Sequence, residues 1–194
     1  MSSGFKEYMN TRSINFTDEE LSMIVDAATV TVVKKRQLLL RAGEICRYKI
    51  FVLTGLLRMY GIGADGEEHI MQFTPAMAWI TDGESYNNRI PSNYNIEALE
   101  DSHVMLWTKE SFEELVKAIP SLKRFSDNLI TQYLNVSRNR LYKTISATPE
   151  EKYNYFLENY PGILNKVPLR MVASYIGVSL KTLSRIRQAQ LQRV

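Results

Sequence analysis

Residues 167–187 read Val167-Pro168-Leu169-Arg170-Met171-Val172-Ala173-Ser174-Tyr175-Ile176-Gly177-Val178-Ser179-Leu180-Lys181-Thr182-Leu183-Ser184-Arg185-Ile186-Arg187. The spacing predicts two short helices joined by a tight turn. In the first helix, Val172 and Ile176 lie four residues apart and share one face. Gly177 can adopt the positive φ angle that a turn after a helix requires, and Ser179 is a good N-cap for the second helix.

The second helix of this segment is predicted to turn Leu183 and Ile186 towards the first. Its outward face then carries Leu180, Lys181, Thr182, Ser184, Arg185 and Arg187. Two short helices with a polar, basic face on the second are typical of a DNA-binding helix-turn-helix, whose second helix enters the major groove. The alternative interpretation is an ordinary helical hairpin whose basic face is merely solvated.

The charge distribution along the chain favours the DNA-binding interpretation. Residues 120–194 contain 12 Lys and Arg against 4 Asp and Glu, a net charge of +8, whereas residues 1–119 contain 12 against 17, a net charge of −5. No acidic residue follows Glu158. A basic segment attached to a mildly acidic body is the distribution expected of a protein that binds the phosphate backbone.

The bulk composition excludes several classes of protein. A hydrophobic fraction of 45% and a charged fraction of 23% in 194 residues are ordinary for one globular domain or two small ones. The single cysteine, Cys46, excludes an internal disulfide and an iron–sulfur cluster. The chain has no apolar run long enough to span a membrane and no signal-peptide pattern, so we expect no membrane partner and a cytoplasmic location.

The first two thirds of the chain alternate between helical and strand-like patterns. Thr17 and Glu20 form a capping box before a short helix that is predicted to end near Ala28. Short β-rich runs with turn signals between them follow; Asp65-Gly66 is the strongest hairpin signal. The predicted strands lie at 31–33, 37–40, 50–53, 56–60, 69–73, 95–98 and 104–107. Short strands at this spacing predict a small antiparallel barrel or sandwich.

A long helix is predicted over residues 121–145, which contain neither Gly nor Pro. One apolar stripe consists of Leu122, Phe125, Leu129, Tyr133 and Val136, and a second apolar surface contains Ile130, Leu134 and Leu141. We expect one face to pack on the barrel and the other to meet a second copy of the chain. Thr148-Pro149-Glu150-Glu151 then starts a new helix. The predicted domains are therefore residues 1–146 and 147–194.

This order of elements resembles the Crp/Fnr family of bacterial transcription regulators over nearly the whole chain. The similar segments are Leu39-Leu40-Arg41-Ala42-Gly43-Glu44, Asp65-Gly66-Glu67-Glu68 and Gly177–Ile186. The resemblance implies an α+β fold with an N-terminal cyclic-nucleotide-binding-like antiparallel β-roll, a long dimerisation helix and a C-terminal helix-turn-helix. Only a few residues follow the second helix, so the β-wing of the family is expected to be truncated or absent.

The resemblance also implies roles for individual residues of the second helix. The hydroxyls of Ser179 and Thr182 match positions that contact phosphates, and Leu180, Lys181 and Arg185 match positions that face base edges. Arg187 joins them as a DNA-binding candidate on the predicted outward face. The implied partners are double-stranded DNA carrying an inverted repeat, a second copy of the chain paired through the long helix, and RNA polymerase.

The candidate effector pocket departs from the family pattern. Cyclic-nucleotide binders of this fold use a Gly-Glu pair and a later Arg, but Thr81-Asp82 and Ser92-Asn93 stand at the matching positions. A buried phosphodiester without a cation loses its charge-assisted hydrogen bonds. Arg89 is the nearby candidate to replace the missing Arg, and Trp79 is a candidate wall of the pocket. We therefore expect no cyclic nucleotide as cofactor, and the sequence does not identify another effector.

Two further classes of function remain open at this point. A barrel enzyme of the cupin type needs a cluster of His and carboxylate ligands, and the chain has two isolated histidines, His69 and His103. These histidines are also the candidate axial ligands of a haem, although a lone His on a strand is usually structural. The second class is a ligand-binding or protein-docking roll without specific DNA binding, in which the helix-turn-helix contacts protein.

Overall fold

The computed structural model describes residues 2–11 and 14–192 and divides them into two compact units. The first unit contains the chain up to Gly61 together with Gln72–Ile130. The second contains Ile62–Met71 together with the chain from Thr131 onward. The predicted boundary at Ser146-Ala147 lies at the end of the long helix, whereas this division falls within that helix, and the predicted domains stay a prediction.

Eight strands form two four-stranded sheets. Their bounds are β1 Thr29–Val33, β2 Leu38–Leu40, β3 Tyr48–Thr54, β4 Leu56–Ile62, β5 Glu68–Pro75, β6 Ala78–Ile80, β7 Asn95–Ala98 and β8 Ser102–Thr108. The strand orders are β1-β8-β3-β6 and β2-β7-β4-β5, and the registered pairs are antiparallel. All seven predicted strands are present, and β6 is an addition that the sequence did not indicate.

Eight α-helices accompany the strands in the described residues. Their bounds are α1 Ser2–Asn10, α2 Asp18–Asp26, α3 Gly83–Asn88, α4 Lys109–Ala118, α5 Pro120–Ser146, α6 Pro149–Asn159, α7 Leu169–Ile176 and α8 Leu180–Leu191. The predicted fold class is therefore confirmed: an α+β chain with an antiparallel roll, a long helix and a C-terminal helix-turn-helix. None of the helices described is both long and apolar enough to cross a membrane.

The interior of the first unit has an aliphatic and an aromatic part. Side chains of β3, β4, β7 and β8, such as Val52, Leu57 and Val104, form a buried aliphatic cluster. A chain of aromatic rings joins the helices to the first sheet, and it contains Phe5, Phe51, Trp79, Trp107, Phe112 and Phe125. This aromatic cluster anchors α1, α4 and the start of α5, because each of them contributes one of the rings.

The hairpin between β3 and β4 depends on Gly55. Its φ is +101°, and a Cβ built there would lie 2.1 Å from the hydroxyl oxygen of Ser102. That hydroxyl accepts the amide of Leu56 (3.3 Å) and donates to the carbonyl of Glu100 (2.8 Å). The Thr54-Gly55 turn signal in the sequence thus corresponds to a turn that both the backbone angle and close packing restrict to glycine.

The long helix α5 buries only its first turns. Leu122 and Phe125 are buried as the sequence predicted, but Val136, placed on the same stripe, is exposed. The second predicted apolar surface is exposed: Ile130 by 58%, Leu134 by 49% and Leu141 by 60%. Ile145, which was not part of that prediction, extends this surface and is 78% exposed.

Candidate nucleic-acid interface and roll pocket

The three helices at the carboxyl end form the scaffold of the candidate interface. Val172, Ala173 and Ile176 of α7 and Leu183 of α8 are buried, and Phe156 of α6 is buried with them. Gly177 has a φ of +68° and ends α7, with the Val178 amide donating to the Ala173 carbonyl at 3.0 Å. This left-handed helix end reverses the chain within two residues, so the predicted tight turn is present.

The start of α8 carries the two predicted phosphate-contact residues. Ser179 is the N-cap of this helix, and its hydroxyl oxygen accepts the Thr182 amide at 3.0 Å. The hydroxyls of Ser179 and Thr182 lie 2.9 Å apart. They therefore form a pair of polar groups at a helix N-terminus, where backbone amides and the helix dipole favour an anion.

The exposed face of α8 brings together most of the residues that the sequence assigned to base contact. Leu180, Lys181 and Arg185 are all exposed in the first turn and a half of the helix. Gln188 is also exposed and lies three residues beyond Arg185, on the same face. Gln188 is not among the residues predicted from the sequence, although its spacing from Lys181 and Arg185 places it on the same helix face.

Arg187 differs from its predicted position. Its side chain is half-buried, and its positive charge acts on the hydroxyl of Tyr153 in α6. Burial raises the pKa of Tyr153, and this guanidinium partly offsets the rise. Arg187 lies four residues after the buried Leu183 and so points towards α6. It is therefore less exposed than Lys181 and Arg185, and its assignment to DNA binding stays a prediction.

In the roll, two of the five candidate pocket residues are in contact. Asp82 is buried and is the N-cap of α3; its carboxylate accepts the Ser85 amide at 3.3 Å and the Ser92 hydroxyl at 2.6 Å. The Ser92 hydroxyl also accepts the Tyr94 amide at 3.0 Å. The segment that would receive a cyclic nucleotide is thus closed by its own hydrogen bonds around a buried carboxylate.

The other three candidates lie elsewhere. Trp79 is part of the buried aromatic cluster, with its ring centroid 5.1 Å from that of Trp107. Asn93 is exposed. Arg89 is exposed at the end of α3 and pairs with Glu110 at 2.5 Å. The structure therefore does not place Arg89 as the replacement cation, and Trp79 belongs to the core.

A buried cation does exist in the roll, but a carboxylate already neutralises it. Arg58 of β4 lies opposite Glu97 of β7, and the Arg58 Nε donates to the Glu97 carboxylate at 2.7 Å. Releasing this guanidinium for a phosphate would leave Glu97 unpaired at a nearly buried position, which is costly. The histidines have local partners too: His103 lies 3.0 Å from the hydroxyl of Thr54, and His69 lies 3.8 Å from Asp65.

We expect cyclic AMP and cyclic GMP at millimolar concentration to leave the melting temperature of the protein unchanged. A ligand at a hundred times its dissociation constant would stabilise the fold by about 2.7 kcal/mol. Asp82 instead offers negative charge to the phosphate, which opposes binding. Differential scanning fluorimetry with adenosine as the matched control tests this prediction. A higher melting temperature with the cyclic nucleotides but not with adenosine would contradict it.

Comparisons with known proteins identify the roll. Residues 30–118 match the family model of the cyclic nucleotide-binding domain. A comparison with curated protein sequences finds no match. Among solved structures, FixK2 from Bradyrhizobium japonicum is similar at a TM-score of 0.75 and 20% identity, over 86% of this chain and 85% of that one.

Two further structures share the fold over most of the chain. A protein from Eubacterium rectale described as a transcriptional regulator of the Crp/Fnr family has a TM-score of 0.70 and 17% identity, over 91% of this chain and 85% of that one. The catabolite activator protein of Thermus thermophilus has a TM-score of 0.58 and 16% identity, over 92% and 85%. Residues 30–118 thus resemble a cyclic nucleotide-binding domain, and the chain has the fold seen in the Crp/Fnr regulators.

Proposed function

We propose that this chain is a homodimeric, sequence-specific DNA-binding transcription regulator of the Crp/Fnr type. The observation that carries the proposal is the exposed face of α8, where Lys181 and Arg185 stand free of the core beside the hydroxyl pair of Ser179 and Thr182. The fold that this chain shares with solved transcription regulators supports the same proposal. The roll acts as the effector domain, with a pocket unsuited to cyclic nucleotides.

The two recognition helices reach DNA as a pair. The open apolar face of α5 contains Ile130, Leu134, Leu141 and Ile145 at intervals of four, seven and four residues, which is the spacing of a coiled-coil seam. In a two-fold dimer the same surface of both subunits forms the interface, so a second copy of α5 can cover this seam. Dimers of helix-turn-helix proteins read half-sites about one DNA turn, roughly 34 Å, apart, so the operator is an inverted repeat.

DNA binding of this kind must depend steeply on salt. A protein that neutralises six or more phosphates loses about a thousandfold or more in affinity between 50 and 200 mM salt. We expect this loss for duplexes selected from a random pool, measured by fluorescence anisotropy. A scrambled duplex is the matched control and should bind more weakly at every salt concentration.

The alternative, a ligand-binding or protein-docking module without specific DNA binding, predicts a different result. No duplex would be enriched by selection, and anisotropy would stay flat at low salt. That outcome would overturn the proposed function. A regulator of this kind acts in the cytoplasm, where RNA polymerase is its expected further partner.

A further inference from the structure

The hairpin between β4 and β5 contacts the first helix of the helix-turn-helix directly. β5 is an edge strand of the second sheet, so one side of it has backbone groups without a neighbouring strand. The hydroxyl of Ser174 in α7 accepts the Ile70 amide at 3.0 Å and donates to the Glu68 carbonyl at 2.8 Å. One side chain thus takes the place of the next strand at this part of the edge.

Arg140 of α5 binds the same hairpin and the same helix. Its guanidinium donates to the carbonyls of Ile70 (3.1 Å) and Met71 on the hairpin, and to the carbonyl of Tyr175 at the end of α7 (3.0 Å). The guanidinium carbon also lies 4.0 Å from the ring centroid of Tyr175. The guanidinium is planar and holds its N–H donors in fixed directions, so it can bind the three carbonyls and stack on the ring of Tyr175 at the same time. A lysine ammonium cannot do this.

These contacts join three elements: the β4–β5 hairpin, α5 and α7. The strands of the hairpin belong to the second sheet of the roll, α5 carries the apolar seam, and α7 is packed against the recognition helix α8. Tyr175 is held further by ring contacts with Phe156 of α6 and with Tyr160, the residue that follows this helix. The hairpin therefore contacts a helix that is itself packed against the recognition helix.

We propose that Arg140 and Ser174 are positioning residues that hold the helix-turn-helix to the β4–β5 hairpin, so that the state of the roll sets the affinity for DNA. This inference rests on the proposed function for its consequence, but the clamp itself is a property of the folded chain. An effector shifts DNA binding only if it stabilises one state of the hairpin more than the other. The contacts of Arg140 and Ser174 are the place where those states differ.

The first test measures the clamp without DNA. Ser174→Ala removes the acceptor of the Ile70 amide, and we expect hydrogen exchange of this amide to become about fivefold faster, which corresponds to the ~1 kcal/mol that a hydrogen bond contributes. Peptides covering residues 62–71 should exchange faster while those from the first sheet do not change. Ser174→Thr keeps the hydroxyl and should restore slow exchange. Unchanged exchange in Ser174→Ala would refute the clamp.

The second test measures the consequence for DNA. Arg140→Lys keeps the charge but loses the fork, and we expect about tenfold weaker binding to a duplex selected from a random pool. Arg138→Lys is the matched control, because the Arg138 side chain is exposed and has no ion pair or hydrogen bond with the described residues. Faster hairpin exchange in Arg140→Lys with unchanged DNA affinity would refute the positioning role. If the wild-type protein binds no duplex, the proposed function fails and the exchange result decides the clamp alone.

Discussion

Replacing Arg185 by Ala is expected to weaken binding to the selected operator by about 5- to 150-fold and to abolish the preference at one base pair. Arg185 is exposed on the second turn of α8, and the guanidinium fork matches the O6 and N7 acceptors of guanine. Loss of such a bidentate contact costs about 1–3 kcal/mol. Anisotropy titrations against the operator and its three single-base-pair variants at that position measure both effects.

Lys181→Ala distinguishes base reading from simple loss of charge. Lys181 is exposed four residues before Arg185 on the same helix face. If Lys181 binds only phosphate, its removal should weaken binding to every duplex equally. The slope of the logarithm of the binding constant against the logarithm of the salt concentration should then decrease in magnitude by about one. An Arg185→Ala protein that showed this same uniform pattern, with its base preference intact, would contradict the assignment of Arg185 to a base.

Short-range patterns predicted the candidate interface well, because each feature depends on residues within a few positions of one another. The Gly177 turn, the Ser179 cap and the buried Leu183 are all confirmed by the structure. Arg187 is half-buried, whereas the sequence placed it on the outward face. It falls one helical turn after Leu183, and a long side chain at the margin of a face can reach back to a buried hydroxyl such as that of Tyr153.

Long-range packing explains what the sequence could not show. The helix α1 was not predicted, although Phe5, Tyr8 and Met9 have helical spacing, because their partners lie far along the chain in β3, β8 and α5. Trp79 was placed in the pocket for a related reason. β6 has three residues, which is too few for alternation to show which face is buried.

Replacing both Leu134 and Leu141 by Glu is expected to convert the protein to a monomer and to weaken operator binding by about 100- to 10,000-fold. The two leucines are 49% and 60% exposed on one face of α5, and a second copy would place four glutamates along a single desolvated seam. Like charges cannot be buried there without partners. Sedimentation velocity measures the assembly state, and anisotropy measures the affinity.

The size of the expected loss follows from the geometry of paired half-sites. When one recognition helix is bound, the dimer holds the second near its half-site at an effective concentration of the order of millimolar, which raises the overall affinity by about 10²–10⁴. Val136→Glu is the matched control: Val136 is 56% exposed and lies two residues from Leu134, about 200° around the helix. A charge there should leave the dimer and its operator affinity intact. If Val136→Glu dissociated the protein and the double variant did not, the chains would have to meet through the other face of α5, and the recognition helices would face away from a common duplex.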